Sequence, residues 1–172
     1  EGGALIINDD ELVQKVRYLI NFGIKSPTEI PHLGTNAKMN EFEAAMGLCI
    51  LDDIEKIKTN RKKVVENYRE NLNNIVQFQE QNINASENYS YFPILFKNEE
   101  ELLKVQKALN EKQIFPRRYF YPSLDTLDYI KPKQICEISQ DISKRVLCLP
   151  RYMELEKEDQ DKIMEILRKN YD

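Results

Sequence analysis

The chain is poor in the residues from which metal and redox sites are built. Its 172 residues include one histidine and three cysteines. Cys49, Cys136 and Cys148 form no Cys-x-x-Cys pair, which leaves zinc and iron–sulfur chemistry almost without ligands. Each cysteine stands among aliphatic residues, so each is expected as a small core residue rather than a nucleophile. No apolar run approaches the ~18 residues that a membrane-spanning helix needs. Basic residues are interspersed with acidic ones, so no patch points to nucleic acid. The opening EGGALIIND has neither a basic start nor a long apolar stretch, so this stretch is not expected to be a signal peptide. An odd cysteine count without a secretion signal fits a reducing, cytoplasmic setting. The first residue is not methionine, and the expectation is a piece of a longer protein.

What is present suits an ordinary soluble fold. Hydrophobic residues make up 41% and charged residues 31%, with a net charge of −4. That supplies one domain, or a small domain plus part of another.

The most informative stretch is 34–54, GTNAKMNEFEAAMGLCILDDI. Asn40 and Glu43 are spaced for a capping box. Phe42, Ala45, Met46, Cys49 and Ile50 then recur at helical spacing as one apolar stripe. Asn36, Lys38 and the amide of Thr35 precede that helix start, a place where unpaired N–H donors favour an anion such as phosphate. Taken alone, the same pattern also fits a plain loop running into a core helix.

In chain order, Gly2-Gly3 reads as a turn and Ala4–Ile7 as a strand. Asn8 or Asp9 caps a helix with Leu12, Val13, Val16, Leu19 and Ile20, ending at Gly23. Ile24–Met39 is a polar loop holding His32, which is either solvent-exposed or a site group. The helix from Asn40 runs on towards Leu72 with a break expected within 52–60, where the domain boundary is placed. The charge run Arg61–Lys63 reads as a solvated helix face. Tyr89–Phe96 alternates as a strand. Asn98 with Glu101 opens a capped helix, and Ile114–Phe115 starts a short strand. Arg117, Arg118 and Tyr119 are then either a strand end facing water or a lid facing a phosphorylated ring-shaped ligand. Arginine forks and tyrosine rings suit the latter. Gln134–Val146 reads as a helix, Leu147–Leu149 as a strand, and Glu156–Lys169 as a helix with charges matched to its dipole. Alternating strands and helices give an α/β domain.

Three stretches carry a resemblance. GTNAKMNEFEAAMGL is similar to the segment G-x-N-x-[RK]-M-x-E-x-x-A-A-x-G-x of the DegT/DnrJ/EryC1/StrS family of sugar aminotransferases. EGGALIINDDELVQKVRYLINFG, and RRYFYPSLDTL with SKRVLCLPRY, resemble the family in the same order over nearly the whole chain. The resemblance implies the α/β fold of the C-terminal part of a fold-type I pyridoxal phosphate-dependent transferase. Residues 1–60 would be the tail of the large cofactor domain and 61–172 the small α/β domain. The implied cofactor is pyridoxal 5'-phosphate, and the implied substrates are a nucleotide-linked keto-sugar and L-glutamate. The implied assembly is a homodimer with shared active sites. The family's cofactor-binding lysine would lie upstream of Glu1, so no catalytic residue is expected here and the 172 residues alone are expected to be inactive. Asn36 matches the family asparagine that reaches the cofactor phosphate across the dimer. His32, Lys38, Arg117, Arg118 and Tyr119 are the implied substrate contacts.

The chain departs from the family pattern at two places. Lys38 stands where many relatives have arginine, which turns a bidentate fork into a point charge. Ser123-Leu124-Asp125 stands where many carry a histidine soon after the proline. The motifs suggest the branch acting on dTDP-linked keto-6-deoxy sugars, in surface-glycan or O-antigen synthesis. A different outcome is a non-catalytic dimerisation or binding module derived from the family. Apolar faces such as Leu12/Val16/Leu19 are expected to stay uncovered and to promote self-association.

Overall fold

A computed structural model describes residues 2–132 and 134–171. The chain divides into two compact units, Glu1–Ile54 and Glu55–Asp172.

In the first unit, α1 (Asp10–Leu19) starts at Asp9, whose carboxylate accepts the Glu11 N–H at 2.9 Å. After α1 the chain turns through Gly23, at φ +78°, and returns along the end of the helix. Thr35 N–H donates to Leu19 O at 2.9 Å, Ala37 N–H to Ile20 O at 2.9 Å, and Phe22 N–H to Thr35 O at 3.0 Å. The two passes of chain lie so close that a Cβ on Gly23 would sit 1.7 Å from the His32 carbonyl oxygen. α2 (Glu41–Asp52) opens with the predicted capping box, Asn40 and Glu43 each accepting the other's backbone N–H. It stops at Asp53, within the interval expected for a break.

Among the described residues of this unit only Gly23 is buried. The apolar stripe of α2 faces outward, with Phe42 90% exposed and Met46 64%. Ala4–Ile7 is not a strand, contrary to the sequence reading. A strand is half of a ladder, and within the described residues this segment has no neighbour to pair with.

The second unit has the core. α3 (Ile54–Leu72) contributes Val64, Val65, Tyr68 and Leu72, which share one face at helical spacing. A three-stranded antiparallel sheet follows in the order β1 (Gln77–Phe78), β2 (Pro93–Leu95), β3 (Val146–Cys148). Its register pairs Phe78 with Ile94 and Ile94 with Leu147. Between β2 and β3 run α4 (Glu99–Asn110), a single tight turn at Leu124–Thr126, and α5 (Glu137–Arg145). α6 (Lys157–Asn170) closes the unit and packs on α4. Leu102, Val105 and Leu109 of α4 meet Ile163, Met164 and Leu167 of α6 in one apolar cluster with Phe92, Ile94, Phe96 and Leu147. The Asn98 cap of α4 forms as predicted, with its side chain accepting the Glu101 N–H at 2.9 Å.

Several sequence expectations shrink or fail here. The strand expected over Tyr89–Phe96 is paired only at Pro93–Leu95. Proline has no N–H for the ladder and stands at the first position of the strand. Ile114–Phe115 is not a strand; only Arg117, two residues on, bridges β3 at Cys148. The helix read from Gln134 begins at Glu137. Of the three cysteines expected in a core, Cys49 and Cys136 are exposed and Cys148 alone is buried. α2 packs no side chain inward, and Cys136 lies just ahead of α5, so aliphatic neighbours in sequence did not mean burial.

Candidate functional site

The sequence-derived site residues fall into two groups, one in each unit. In the first unit, the close approach of the chain at Gly23 and Gly34 fixes the loop that carries Asn36 and Lys38. Asn36 is backbone-paired with Asn21, and its Oδ1 accepts from Lys38 Nζ at 2.8 Å. Lys38 also lies 4.3 Å from the centre of the Phe22 ring. The Asn36 amide nitrogen has no partner among the described residues. Two of the donors at the start of α2 are taken up by the capping box. An exposed amide and ammonium standing together are the donors left for an oxyanion, and they fit the phosphate of a cofactor. His32 lies over Tyr18, ring centres 5.9 Å apart and nearly parallel.

In the second unit, five segments converge on an open cleft of about 1350 Å³. Arg117 pairs with the free edge of β3, its N–H donating to Cys148 O at 3.1 Å and its O accepting from Cys148 N–H at 2.8 Å. Side chains of extended chain alternate, and here the two neighbouring arginines part. Arg117 lines the cleft with Tyr119 and donates to the Tyr119 hydroxyl. That bond is the first cause of the raised Arg117 pKa. Tyr91 meets Tyr119 edge to face at 5.3 Å. Arg118 is placed elsewhere: it donates to Glu99 of α4 and, at 2.8 Å, to the Lys144 carbonyl of α5. Its guanidinium also lies 3.7 Å from the Tyr121 ring centre. Arg118 thus ties the start of α4 to the end of α5.

Two further arginines line the cleft, and the sequence reading assigned them no role. Arg61, taken there as part of a solvated run, is half-buried, whereas Lys62 and Lys63 are exposed. Its position on α3, three residues ahead of the buried Val64, turns it towards the core side, and that spacing was the available signal. Arg151 follows the strand-ending Leu149-Pro150, with one guanidinium nitrogen donating to the Ser90 carbonyl. Burial first, and the nearby Arg61 charge second, push the Arg151 pKa down. Burial likewise pushes the Cys148 thiol up, in keeping with a packed side chain. Tyr68, its phenol pushed far up by burial, donates to the Pro150 carbonyl at 3.2 Å and holds the segment that carries Arg151.

Asp125 organises the far end of the 117–126 segment. It accepts from the Ser123 hydroxyl, from the Cys136 N–H at 2.9 Å and from Gln140. These hydrogen bonds, Ser123 first, hold its pKa at about 2. It serves as the missing cap of α5, whose own N-cap residue Cys136 makes no side-chain bond. No helix among the described residues is long and apolar enough to cross a membrane.

Comparison with known proteins assigns this architecture. The model of the DegT/DnrJ/EryC1/StrS aminotransferase family matches residues 1–168. A dTDP-4-amino-4,6-dideoxy-D-glucose transaminase of Shigella dysenteriae is 33% identical over 98% of this chain and 48% of its own length. The Escherichia coli protein of the same name is 34% identical over 97% of this chain and 47% of its own. The chain therefore spans about half the length of these relatives. In structure it superposes on a DegT DnrJ EryC1 StrS aminotransferase from Brucella abortus with a TM-score of 0.83 at 22% identity. That match covers 95% of this chain and 44% of the other. The shared fold is the C-terminal α/β portion of these enzymes, and pyridoxal phosphate is the cofactor that goes with them. The chain belongs to the DegT/DnrJ/EryC1/StrS aminotransferase family.

Proposed function

We propose that this chain is the C-terminal part of an aminotransferase that moves the amino group of L-glutamate onto a dTDP-linked keto-deoxysugar for surface-glycan or O-antigen synthesis. The observation that carries the reading is the identity of about one third, over nearly all of this chain, to two dTDP-4-amino-4,6-dideoxy-D-glucose transaminases. The cleft supports it: arginines beside tyrosine rings suit a substrate that joins phosphate to sugar and base.

Pyridoxal phosphate supplies the electron sink for the transfer. The chain's own contribution is binding and orientation. Asn36 would hold the cofactor phosphate with its side-chain amide, across a homodimer interface, and Lys38 would orient that amide by donating to its oxygen. Arg117 and Tyr119 hold the substrate, while Arg118 positions that segment through Glu99 and Lys144. His32, in the same loop as Asn36, contacts the sugar nucleotide. Exposed Leu33, Phe42 and Met46 give the first unit the apolar surface that association with a second copy would cover. Residues 1–60 belong with the cofactor domain and 61–172 form the small domain, in a cytoplasmic protein. The family's lysine motif is not among the matched stretches, so the 172 residues alone are expected to transfer nothing.

The test is chemical. The full-length protein, loaded with pyridoxal phosphate and given L-glutamate and a dTDP-linked 4-keto-6-deoxyhexose, is expected to release 2-oxoglutarate and an aminosugar nucleotide in equal amounts. Release of neither, from a protein that takes up no cofactor, would leave the non-catalytic dimerisation or binding module as the better reading.

A further inference from the structure

We propose that Arg61 and Arg151, completed by Arg117, form a binding site for the diphosphate of the sugar nucleotide; this rests on the reading above and adds to it the group that these residues hold. Arg61 is half-buried, its Nε is shielded from solvent, and it has no hydrogen-bond or ion-pair partner among the described residues. Arg151 spends one nitrogen on the Ser90 carbonyl, while its Nη1 is buried without a partner. The two guanidinium groups are close enough for Arg61 to disfavour the charge on Arg151. Guanidinium groups remain charged in proteins, so partly buried neighbours of like sign call for an anion between them. Arg117, on the free edge of β3, adds a third guanidinium to the same cleft.

The carboxylates that line the cleft do not fill that role. Asp159 is bound to Lys162 at 2.8 Å and Glu165 to Lys169 at 2.5 Å, each within α6. Glu111 lies just beyond the end of α4 and forms no ion pair with any of the three arginines. The chemistry of the cluster selects the ligand. A single carboxylate carries one charge and matches one fork, whereas a diphosphate carries at least two and offers oxygens to several. Tyr91, Tyr119 and Tyr152 line the same cleft and offer aromatic surface beside the arginines.

The experiment is calorimetric titration of the protein with two probes, inorganic pyrophosphate and dTDP. Both are expected to bind, with dTDP the tighter because it also reaches the tyrosines. Arg61→Gln and Arg151→Gln are each expected to weaken both probes by about tenfold or more, the loss expected of a charge-assisted hydrogen bond. Arg61→Lys, which keeps the charge but not the fork, is expected to fall in between. Lys63→Gln, an exposed charge removed from the same helix, is expected to bind like the parent. Should Arg151→Gln fail to fold for want of its bond to Ser90, the Arg61 pair decides. The proposal is overturned if the parent binds neither probe at millimolar concentration. It is equally overturned if Arg61→Gln binds as the parent does, or if Lys63→Gln is weakened as much as Arg61→Gln. Amino transfer is scored separately. Unchanged dTDP binding by the arginine variants of a protein that transfers amino groups removes this site alone. Arginine-dependent binding by a protein that transfers none removes the aminotransferase reading alone.

Discussion

The two units use the same local grammar and arrive at different results. Asn40 caps α2 and Asn98 caps α4 with the same bond, each side chain accepting the backbone N–H three residues on at 2.9 Å. α4 then buries Leu102, Val105 and Leu109, while α2 buries nothing. A cap starts a helix, but only a partner surface gives it a core. Glu1–Ile54 keeps its shape through backbone hydrogen bonds around Gly23 and Gly34, and Glu55–Asp172 through apolar packing.

That contrast sets the size of the mutational effects. The largest is expected at Leu147, fully buried in the central contact between β3 and β2. Leu147→Ala removes methyl groups from a packed interior and is expected to cost about 2–5 kcal/mol in chemical denaturation. Phe42→Ala deletes a larger side chain, but one that is 90% exposed. Its expected cost is within about 0.5 kcal/mol, because almost no apolar area returns to water. Equal losses at the two positions would refute the division between packed and unpacked units. A lower tendency to self-associate in Phe42→Ala would sharpen it.

An intermediate effect is expected where the first unit depends on backbone geometry. Gly23→Ala puts a Cβ into the His32 carbonyl, at a φ of +78° that side chains disfavour. The loop that carries Asn36 and Lys38 is expected to open, and hydrogen exchange at the Thr35 and Ala37 amides to quicken. Melting of the second unit is expected to stay put. A drop in that melting as large as the one from Leu147→Ala would mean that the units are not independently held.

The same division explains what could be read from sequence. Caps, helix periodicity and the family motifs are short-range, so Asn40 and Asn98 were legible from a few residues around them, and Asp9 as one of two neighbouring candidates. Pairing is long-range. Ala4–Ile7 looks like a strand yet has no partner among the described residues, and Ile114–Phe115 yields only the bridge at Arg117. The cleft was legible in part. Arg117 and Tyr119 stand in a quotable motif, but nothing local shows that Arg118 turns away to Glu99. Arg61 was hidden by the two lysines after it, and Arg151 gains its neighbours only when β3 brings residues 149–152 against α3 and Ser90.

The smallest expected effect tests whether a polar residue of the second unit has taken on a packing role. Asp125 caps α5 from a distance, accepting the Cys136 N–H. Its pKa is lowered from 3.8 to about 2, first by the Ser123 hydroxyl, then by the Cys136 N–H and Gln140. A carboxylate whose folded pKa is depressed stabilises the fold fully above its unfolded pKa. The contribution declines as pH falls from about 4 and is gone once pH has passed about 2. Thermal midpoints measured between pH 5 and pH 2 are therefore expected to fall more steeply for the parent than for Asp125→Asn, which has no proton to gain there. The curves should run parallel above about pH 5, offset by whatever the substitution costs at the α5 start. Parallel curves throughout the acid limb would mean that the hydrogen bonds to Asp125 do not stabilise the folded state. The link between the 117–126 segment and α5 would then rest on Arg118 and its bond to the Lys144 carbonyl.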